Sequence, residues 1–201
     1  MKSTHQVLLI SFALVALAAA RPAAAEGKSA FVAPKDVALV VFIQNAPDDR
    51  AMNCIVFDAD KQCVVEVGGR EAEVIAMNPG RHTLYVTAYN NHRIDLDLVA
   101  GRTYFIRLFS IEKIATRVSD VMPVQRGTDS SKLLKTWLEG ARVIQGIDDP
   151  CRGKPLKERS NRTQKRINEA NADWKNGDEL YRFNYRLLKE DGLTAEEVGW
   201  L

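Results

Sequence analysis

The sequence predicts a mainly β protein with some helix: an antiparallel β-sandwich of about eight strands in residues 26–125, then a helical C-terminal extension in residues 126–201. Short apolar or alternating runs recur through the first half at a spacing of 8–12 residues, separated by turn-forming residues. After residue 124 the apolar residues recur every three or four positions, which is helical spacing. The composition, 46% apolar and 27% charged, is that of a globular protein and excludes collagen-like and low-complexity classes.

The first 25 residues have the pattern of a secretory signal peptide. Lys2 precedes an apolar run over residues 7–20, and a triplet of small residues ends at Ala25. The run is shorter than the roughly 20 apolar residues needed to cross a bilayer. We therefore expect cleavage after Ala25, with Ala20 as the alternative, and export to a bacterial periplasm rather than to the medium. No later stretch is apolar enough to predict a transmembrane segment.

Charge balance argues against one class of partner. Beyond the first 25 residues, 26 basic and 26 acidic side chains remain, so the exported chain would be neutral at pH 7. A neutral protein lacks the general electrostatic attraction that draws basic proteins to polyanions. We do not expect a nucleic-acid partner.

The predicted strands are residues 37–43, 53–57, 63–67, 71–77, 81–89, 93–99, 103–109 and 117–122. The fifth and sixth form a hairpin whose register follows from its apolar residues. A two-residue turn at Asn90-Asn91 would set Leu84 against Asp97, whereas a three-residue loop keeps the apolar residues of both strands on one face. We predict the longer loop, with Asn90 or Asn91 in the left-handed conformation.

Two motifs beside this hairpin resemble an uncharacterised family of exported bacterial domains that is similar to PEGA-type surface modules. Residues 78–84 read NPGRHTL and residues 100–107 read AGRTYFIR, which match the family's Pro-Gly-x-His and Ala-Gly-Lys-x-Tyr-Tyr patterns. Arg102 replaces the usual lysine, and Phe105 stands at the second aromatic position. The resemblance implies a β-sandwich at the cell envelope and implies no catalytic residue.

The C-terminal extension contains three helical signals. Thr128, Asp129 or Ser130 caps a helix that runs to Gly140, and residues 146–150 read as a loop. Residues 156–190 then show helical spacing, which Asn176-Gly177 either breaks or only weakens. Thr194 and Glu197 form a capping box, which predicts a short closing helix. The positions with helical spacing in the second segment are Ile167, Ala170, Trp174, Tyr181, Tyr185 and Leu188.

Cys54, Cys63 and Cys151 allow three single disulfide pairings in an oxidising compartment. Cys54 and Cys63 flank a turn-like Asp-Ala-Asp segment, so they could face each other across a hairpin. We predict the Cys54–Cys63 bond, while the other pairings remain open. Because there is no C-x-x-C motif and no histidine nearby, we expect no zinc site, and no other cofactor is indicated.

The sequence contains no nucleophile-elbow, phosphate-loop, dinucleotide or zinc-protease motif. A hydrolase-like enzyme would need convergent polar groups between sandwich and helices, and the only candidates are His82, His92, Asp95 and Asp97. The two histidines should lie too far apart to share a metal. Three tyrosines could form an aromatic binding surface unless a C-terminal helix covers them: Tyr85, Tyr89 and Tyr104.

The strongest charge feature is a basic block with a single acid, Glu158, in its midst. It is either a solvated helix face or a surface that binds an anionic partner. We therefore predict an exported, non-enzymatic module that binds an anionic envelope component or an envelope protein. The alternatives are the hydrolase-like enzyme and a structural, self-associating protein. The basic residues of the block are Arg152, Lys154, Lys157, Arg159, Arg162, Lys165 and Arg166.

Overall fold

The computed structural model describes residues 30–45, 52–113, 116–146, 151 and 156–201, so the predicted signal peptide lies outside the described residues. These residues form ten strands and four helices, and all eight predicted strands are among them. The strands are β1 (Ala38–Gln44), β2 (Cys54–Phe57), β3 (Cys63–Val67), β4 (Glu71–Met77), β5 (Gly80–Thr87), β6 (Asn91–Leu98), β7 (Thr103–Lys113), β8 (Thr116–Pro123), β9 (Arg142–Gln145) and β10 (Arg186–Leu187). The helices are α1 (Asp129–Leu138), α2 (Leu156–Asn176), α3 (Glu179–Asn184) and α4 (Ala195–Val198).

The strands form two five-stranded sheets. Sheet A has the order β8-β7-β1-β4-β9, and sheet B has the order β10-β6-β5-β2-β3. Within the described residues, β1 with β7, β4 with β9 and β6 with β10 pair in parallel, while the other neighbours are antiparallel. The mainly β fold with C-terminal helices is confirmed, but the expectation of a purely antiparallel arrangement is wrong, because both sheets are mixed. The described residues have ten strands where about eight were expected.

The two strands that sequence reasoning missed both lie in the C-terminal extension. Strand β9 adds to β4 at the edge of sheet A, and β10 adds to β6 at the edge of sheet B. They have four and two residues, RVIQ and RL, and neither shows a readable alternation of apolar and polar side chains. The segment after residue 125 therefore completes both sheets as well as supplying helices.

Apolar side chains from both sheets form one central core. Phe42 of β1, Leu84 of β5, Ile94 of β6 and Ile106 of β7 are all fully buried in it. A second cluster packs the other face of sheet A against Leu134 of α1 and Val198 of α4, which are buried beside strand residues. Because both of its faces are covered, β1 is buried along its whole length.

Helix α2 covers the outer face of sheet B. Ile167 and Ala170 of the helix pack against Phe57 of β2 and Tyr85 of β5. The helical spacing of Ile167 and Ala170 is thus explained by contact with a sheet. This cover also removes Tyr85 from solvent.

The β5–β6 hairpin confirms part of its predicted register. Leu84 pairs with Ile94, and the apolar residues of both strands face the central core. The loop has three residues, as predicted, but it comprises residues 88–90 and therefore lies earlier than expected. Neither Asn90 nor Asn91 has a positive φ, so the left-handed expectation is wrong.

The predicted Cys54–Cys63 bond is also wrong. In the β2–β3 pairing, Cys63 lies opposite Phe57, whereas Cys54 lies opposite Val67 and its side chain is buried in the central core. The sulfur of Cys63 instead makes disulfide contact with that of Cys151, with the two Cα atoms 6.2 Å apart, a normal distance for this bond. The bond ties the chain just before α2 to sheet B.

The helix boundaries follow their local signals. Thr128 is the N-cap of α1, and Thr194 and Glu197 form the expected capping box of α4. The helical segment predicted over residues 156–190 breaks at Gly177, where α2 ends before α3. A Cβ atom at Gly177 would overlap the ring of Tyr181, so a glycine is needed for this close approach.

The C-terminal end is held by an ion pair whose effect should depend on pH. The Arg126 guanidinium donates to both carboxylate oxygens of Glu197, at 2.6 and 3.1 Å, and together with the Thr194 N–H lowers the pKa of Glu197 from 4.5 to about 2. Since the folded pKa is the lower one, this stabilisation is complete above pH 4.5 and is lost as the pH falls towards 2.

We therefore expect Glu197→Gln to lower stability at pH 7. The amide oxygen of Gln can still accept from the Thr194 N–H, but the negative charge is lost. The loss should be at most about 1 kcal/mol, because solvent screens so exposed a pair. Thermal unfolding of both proteins from pH 7 to pH 2 measures it. The gap between the two melting temperatures should close between pH 4.5 and 2. A gap that stays constant over this range would contradict the role of the pair.

Candidate functional site

A stack of three rings lies where sheet B meets α3. The His92 and Tyr185 rings are nearly parallel with centroids 5.3 Å apart, and Tyr181 packs on Tyr185 with centroids 4.9 Å apart. The Tyr185 hydroxyl donates to Oδ1 of Asp120 at 2.8 Å, and burial together with this carboxylate raises the pKa of Tyr185. Tyr185 therefore stays protonated and joins α3 to β8.

Local capping explains how α3 presents these tyrosines. Asp178 is the N-cap of α3, and its Oδ1 accepts from the Tyr181 N–H at 2.7 Å. Gln125 then fixes the other end of α3, because its Nε2 donates to the carbonyl oxygens of Phe183 and Arg186 at 2.7 and 3.1 Å. Both ends of a six-residue helix are thus held in place.

An apolar groove of about 580 Å³ lies on one side of the stack, between α3, β8 and α1. Its wall on α1 is fixed, since Trp137 packs under the Arg107 guanidinium at 4.9 Å and its carbonyl accepts from Asn45 at 2.9 Å. Asp120 and Asp129 are its charged lining residues. The apolar lining residues of this groove are Phe109, Val121, Met122, Pro123, Leu133 and Trp137.

A second cavity, the acidic pocket, lies on the other side of the stack and has a volume of about 740 Å³. Tyr181 and Tyr185 line both cavities. Burial raises the pKa of Tyr181, and the nearby carboxylates of Asp173 and Asp120 raise it further. The helical spacing in the sequence includes both tyrosines, but it leaves open whether the helix breaks at Gly177 and gives neither tyrosine a place in a site.

Only one of the three predicted surface tyrosines is exposed. Tyr89 is 49% exposed and lines the acidic pocket, whereas Tyr85 and Tyr104 are buried. The Tyr85 hydroxyl donates to Asn171 of α2 at 3.2 Å, and that of Tyr104 donates to the Lys189 carbonyl at 3.2 Å. Burial raises the pKa of Tyr104. Tyr85 and Tyr104 are therefore not part of an aromatic surface, because helical segments cover them, which is the alternative that the sequence leaves open.

The four candidate enzymatic residues are divided between two places. His82, Asp95 and Asp97 line a cavity of about 540 Å³ at the outer face of sheet B, while His92 lies at the ring stack. Asp95 is engaged by the Arg93 guanidinium at 2.9 Å. Within the described residues, no group of three or more His, Cys, Asp or Glu side chains could hold a metal ion.

The basic block is only partly described. Arg152 and Lys154 lie outside the described residues, and so do the side chains of Lys157 and Arg159. Arg162 and Lys165 are exposed on α2. Arg166 is half-buried, and its burial and the charge of Arg162 lower its pKa.

Comparison with known proteins identifies no family for this chain. No protein-family model and no curated protein matches the chain. Among the described residues, no helix is long and apolar enough to cross a membrane. The site must therefore be interpreted from its own chemistry.

Proposed function

We propose that this protein is an exported, non-enzymatic module of the bacterial envelope that docks a partner protein in the apolar groove. The observation that carries the proposal is the groove itself, where Leu133 and Met122 are large apolar residues exposed to solvent. Contiguous apolar surface of this kind marks interaction sites on proteins. The N-terminal signal pattern and the resemblance to PEGA-type modules in a β-sandwich arrangement support the envelope location.

The lining also indicates the chemistry of the partner. Its charged side chains, Asp120 and Asp129, are both acidic. A segment that places apolar side chains in the groove and basic side chains at its rim would complement both features. The fixed position of Trp137 lowers the ordering cost of binding, because that wall is already formed.

The hydrolase-like alternative has less support. The Asp95 carboxylate is held by Arg93 and also accepts from the Thr83 hydroxyl at 3.0 Å. His82 contacts the carbonyl of Asn78 at 2.8 Å. All three contacts are local to the hairpin and its preceding turn, so they favour a structural role for these polar groups.

The test is capture from an envelope extract with purified protein as bait. We expect Leu133→Asp to reduce the amount of captured partner at least tenfold, because a carboxylate in the groove opposes apolar docking. Ile111→Asp is the matched control, since Ile111 is a similarly exposed apolar residue outside the groove lining. Quantitative mass spectrometry measures the capture.

Three results would change the assignment. Capture that does not depend on Leu133 would contradict docking in the groove. Loss of capture with Arg162→Glu/Lys165→Glu alone would move the binding surface to the basic face of α2 and favour an anionic partner. A dimer seen by sedimentation in the wild type but not in Leu133→Asp would make the occupant a second copy of the chain.

A further inference from the structure

The cavity at the outer face of sheet B has arginine side chains that the protein itself does not neutralise. Its Asp and Arg lining residues are Arg81, Asp95, Asp97 and Arg186. We infer that this cavity binds a small organic carboxylate that also carries a hydrogen-bond donor. The inference goes beyond the proposed function, because it concerns a different cavity and a small ligand rather than a partner protein.

Both lining carboxylates already have a basic neighbour. Asp95 accepts from Nε and Nη2 of Arg93 at 2.9 and 3.2 Å. Oδ2 of Asp97 lies 4.0 Å from Nζ of Lys189. Neither Arg93 nor Lys189 lines the cavity. The two negative charges are therefore offset from outside it, and the two lining arginines leave the cavity positively charged.

These two arginines have no acidic partner. Among the described residues, the guanidinium groups of Arg81 and Arg186 make neither a hydrogen bond nor an ion pair. Arg186 lies over the Trp174 ring, with Cζ 5.5 Å from the ring centroid, so a cation–π contact positions the guanidinium without using its N–H groups. A guanidinium has five N–H donors in a planar arrangement that matches a carboxylate. A carboxylate ligand can therefore bind both arginines without breaking an ion pair.

The strand pairing places both arginines on one face of sheet B. Arg186 is paired with Asp95, and Arg81 with Asp97, so the four side chains share the outer face. Two strand spacings of about 4.8 Å and two residues of about 3.3 Å separate the arginine Cα atoms, which gives about 12 Å along the diagonal. A ligand between the arginines therefore lies over β6, next to Asp97.

Asp97 places a second requirement on the ligand. Its carboxylate is partly exposed and accepts no hydrogen bond within the part of the chain that the structure describes. Because an ionised carboxylate only accepts, it favours a ligand that has hydroxyl or ammonium groups beside its own carboxylate. Acidic sugars and amino acids both have this combination. The volume of about 540 Å³ is in the range of small-molecule sites.

Titration calorimetry of the purified protein tests this inference with four probes: D-glucuronate, L-glutamate, glutarate and D-glucose. The first two carry a carboxylate together with hydroxyl or ammonium donors, glutarate has carboxylates alone, and glucose has hydroxyls alone. We expect saturable binding of glucuronate or glutamate, with glutarate and glucose binding at least about tenfold weaker than the tighter of the two. The tighter probe identifies the donor as hydroxyl or ammonium. Binding of neither, or equal binding of glutarate or glucose, would overturn the inference.

Variants connect the binding to the cavity. Arg81→Gln should weaken binding of the tighter probe at least about tenfold, and because Arg81 is exposed the fold should be retained. Arg162→Gln is the matched control, since it removes the same charge from an exposed residue that does not line the cavity, and it should bind like wild type. Unchanged binding by Arg81→Gln, or an equal loss in Arg162→Gln, would contradict the assignment to this cavity.

Asp97→Asn tests the requirement for a donor. This substitution removes the charge that repels a simple anion, so the preference for the tighter probe over glutarate should fall to about threefold or less. A preference as large as in wild type would contradict the role of Asp97. None of these results depends on partner capture in the apolar groove, so the two proposals can fail separately.

Discussion

Replacing Trp174 by alanine is expected to destabilise the protein by about 3–5 kcal/mol, the usual cost of truncating a buried tryptophan. Trp174 is only 8% exposed, and its ring contacts two guanidinium groups, that of Arg93 at 4.8 Å and that of Arg186 at 5.5 Å. These arginines belong to β6 and β10, so the ring joins α2 to two strands of sheet B. Its loss removes buried apolar surface and two cation–π contacts together.

Trp200 provides a control of the same residue type. It is 78% exposed, so Trp200→Ala should change stability by no more than about 0.5 kcal/mol. Urea unfolding followed by far-ultraviolet circular dichroism measures both variants without relying on tryptophan fluorescence. If the two substitutions cost the same, α2 does not pack on sheet B as described.

Removing the Cys63–Cys151 bond is expected to cost about 2–5 kcal/mol, as for other native disulfides in small domains. The bond spans 88 residues, so it restricts the unfolded chain strongly. It also anchors the segment that leads into α2, and its loss should therefore loosen the cover over Tyr85. Cys63→Ser/Cys151→Ser should unfold at a lower urea concentration than wild type.

Reduction provides the control for this second experiment. Dithiothreitol should lower the stability of wild type to about that of the double variant and leave the variant itself unchanged. Mass spectrometry of a non-reduced digest should link the peptides that contain Cys63 and Cys151. A link between Cys54 and Cys63 would restore the pairing predicted from sequence and contradict the structure.

Local signals in the sequence predicted local structure well. The strands β1 to β8, the Thr128 cap and the Thr194 capping box depend on residues close together in the chain, so their patterns are visible there. The parallel pairings are different, because β1 with β7 joins residues about 64 positions apart, such as Leu39 and Thr103. Such partners are chosen by the packing of whole layers, which no local pattern contains.

The candidate site was harder to predict for a related reason. Tyr181 and Tyr185 share the helical spacing of residues 156–190, but spacing alone did not determine whether the helix breaks at Gly177, where α2 ends before α3. Asp120 lies in a predicted strand and belongs to no motif, and its partner Tyr185 lies 65 positions later. Gln125, which holds the end of α3, carries no motif at all. The site is formed by segments that lie far apart in the sequence.

Strand β10 covers an edge of sheet B that could otherwise pair with a strand of another chain. It pairs with β6, which has eight residues with alternate buried side chains. If the backbone N–H and C=O groups on this edge of β6 were open, a strand of another chain could pair with them. Arg186 and Leu187 pair with the middle of this strand at Asp95 and Leu96, and the Tyr185 carbonyl accepts the Asp95 N–H. A two-residue strand is itself too short to recruit a neighbour. The C-terminal segment therefore covers the middle of β6 at one edge of sheet B, where a strand of another chain could otherwise pair.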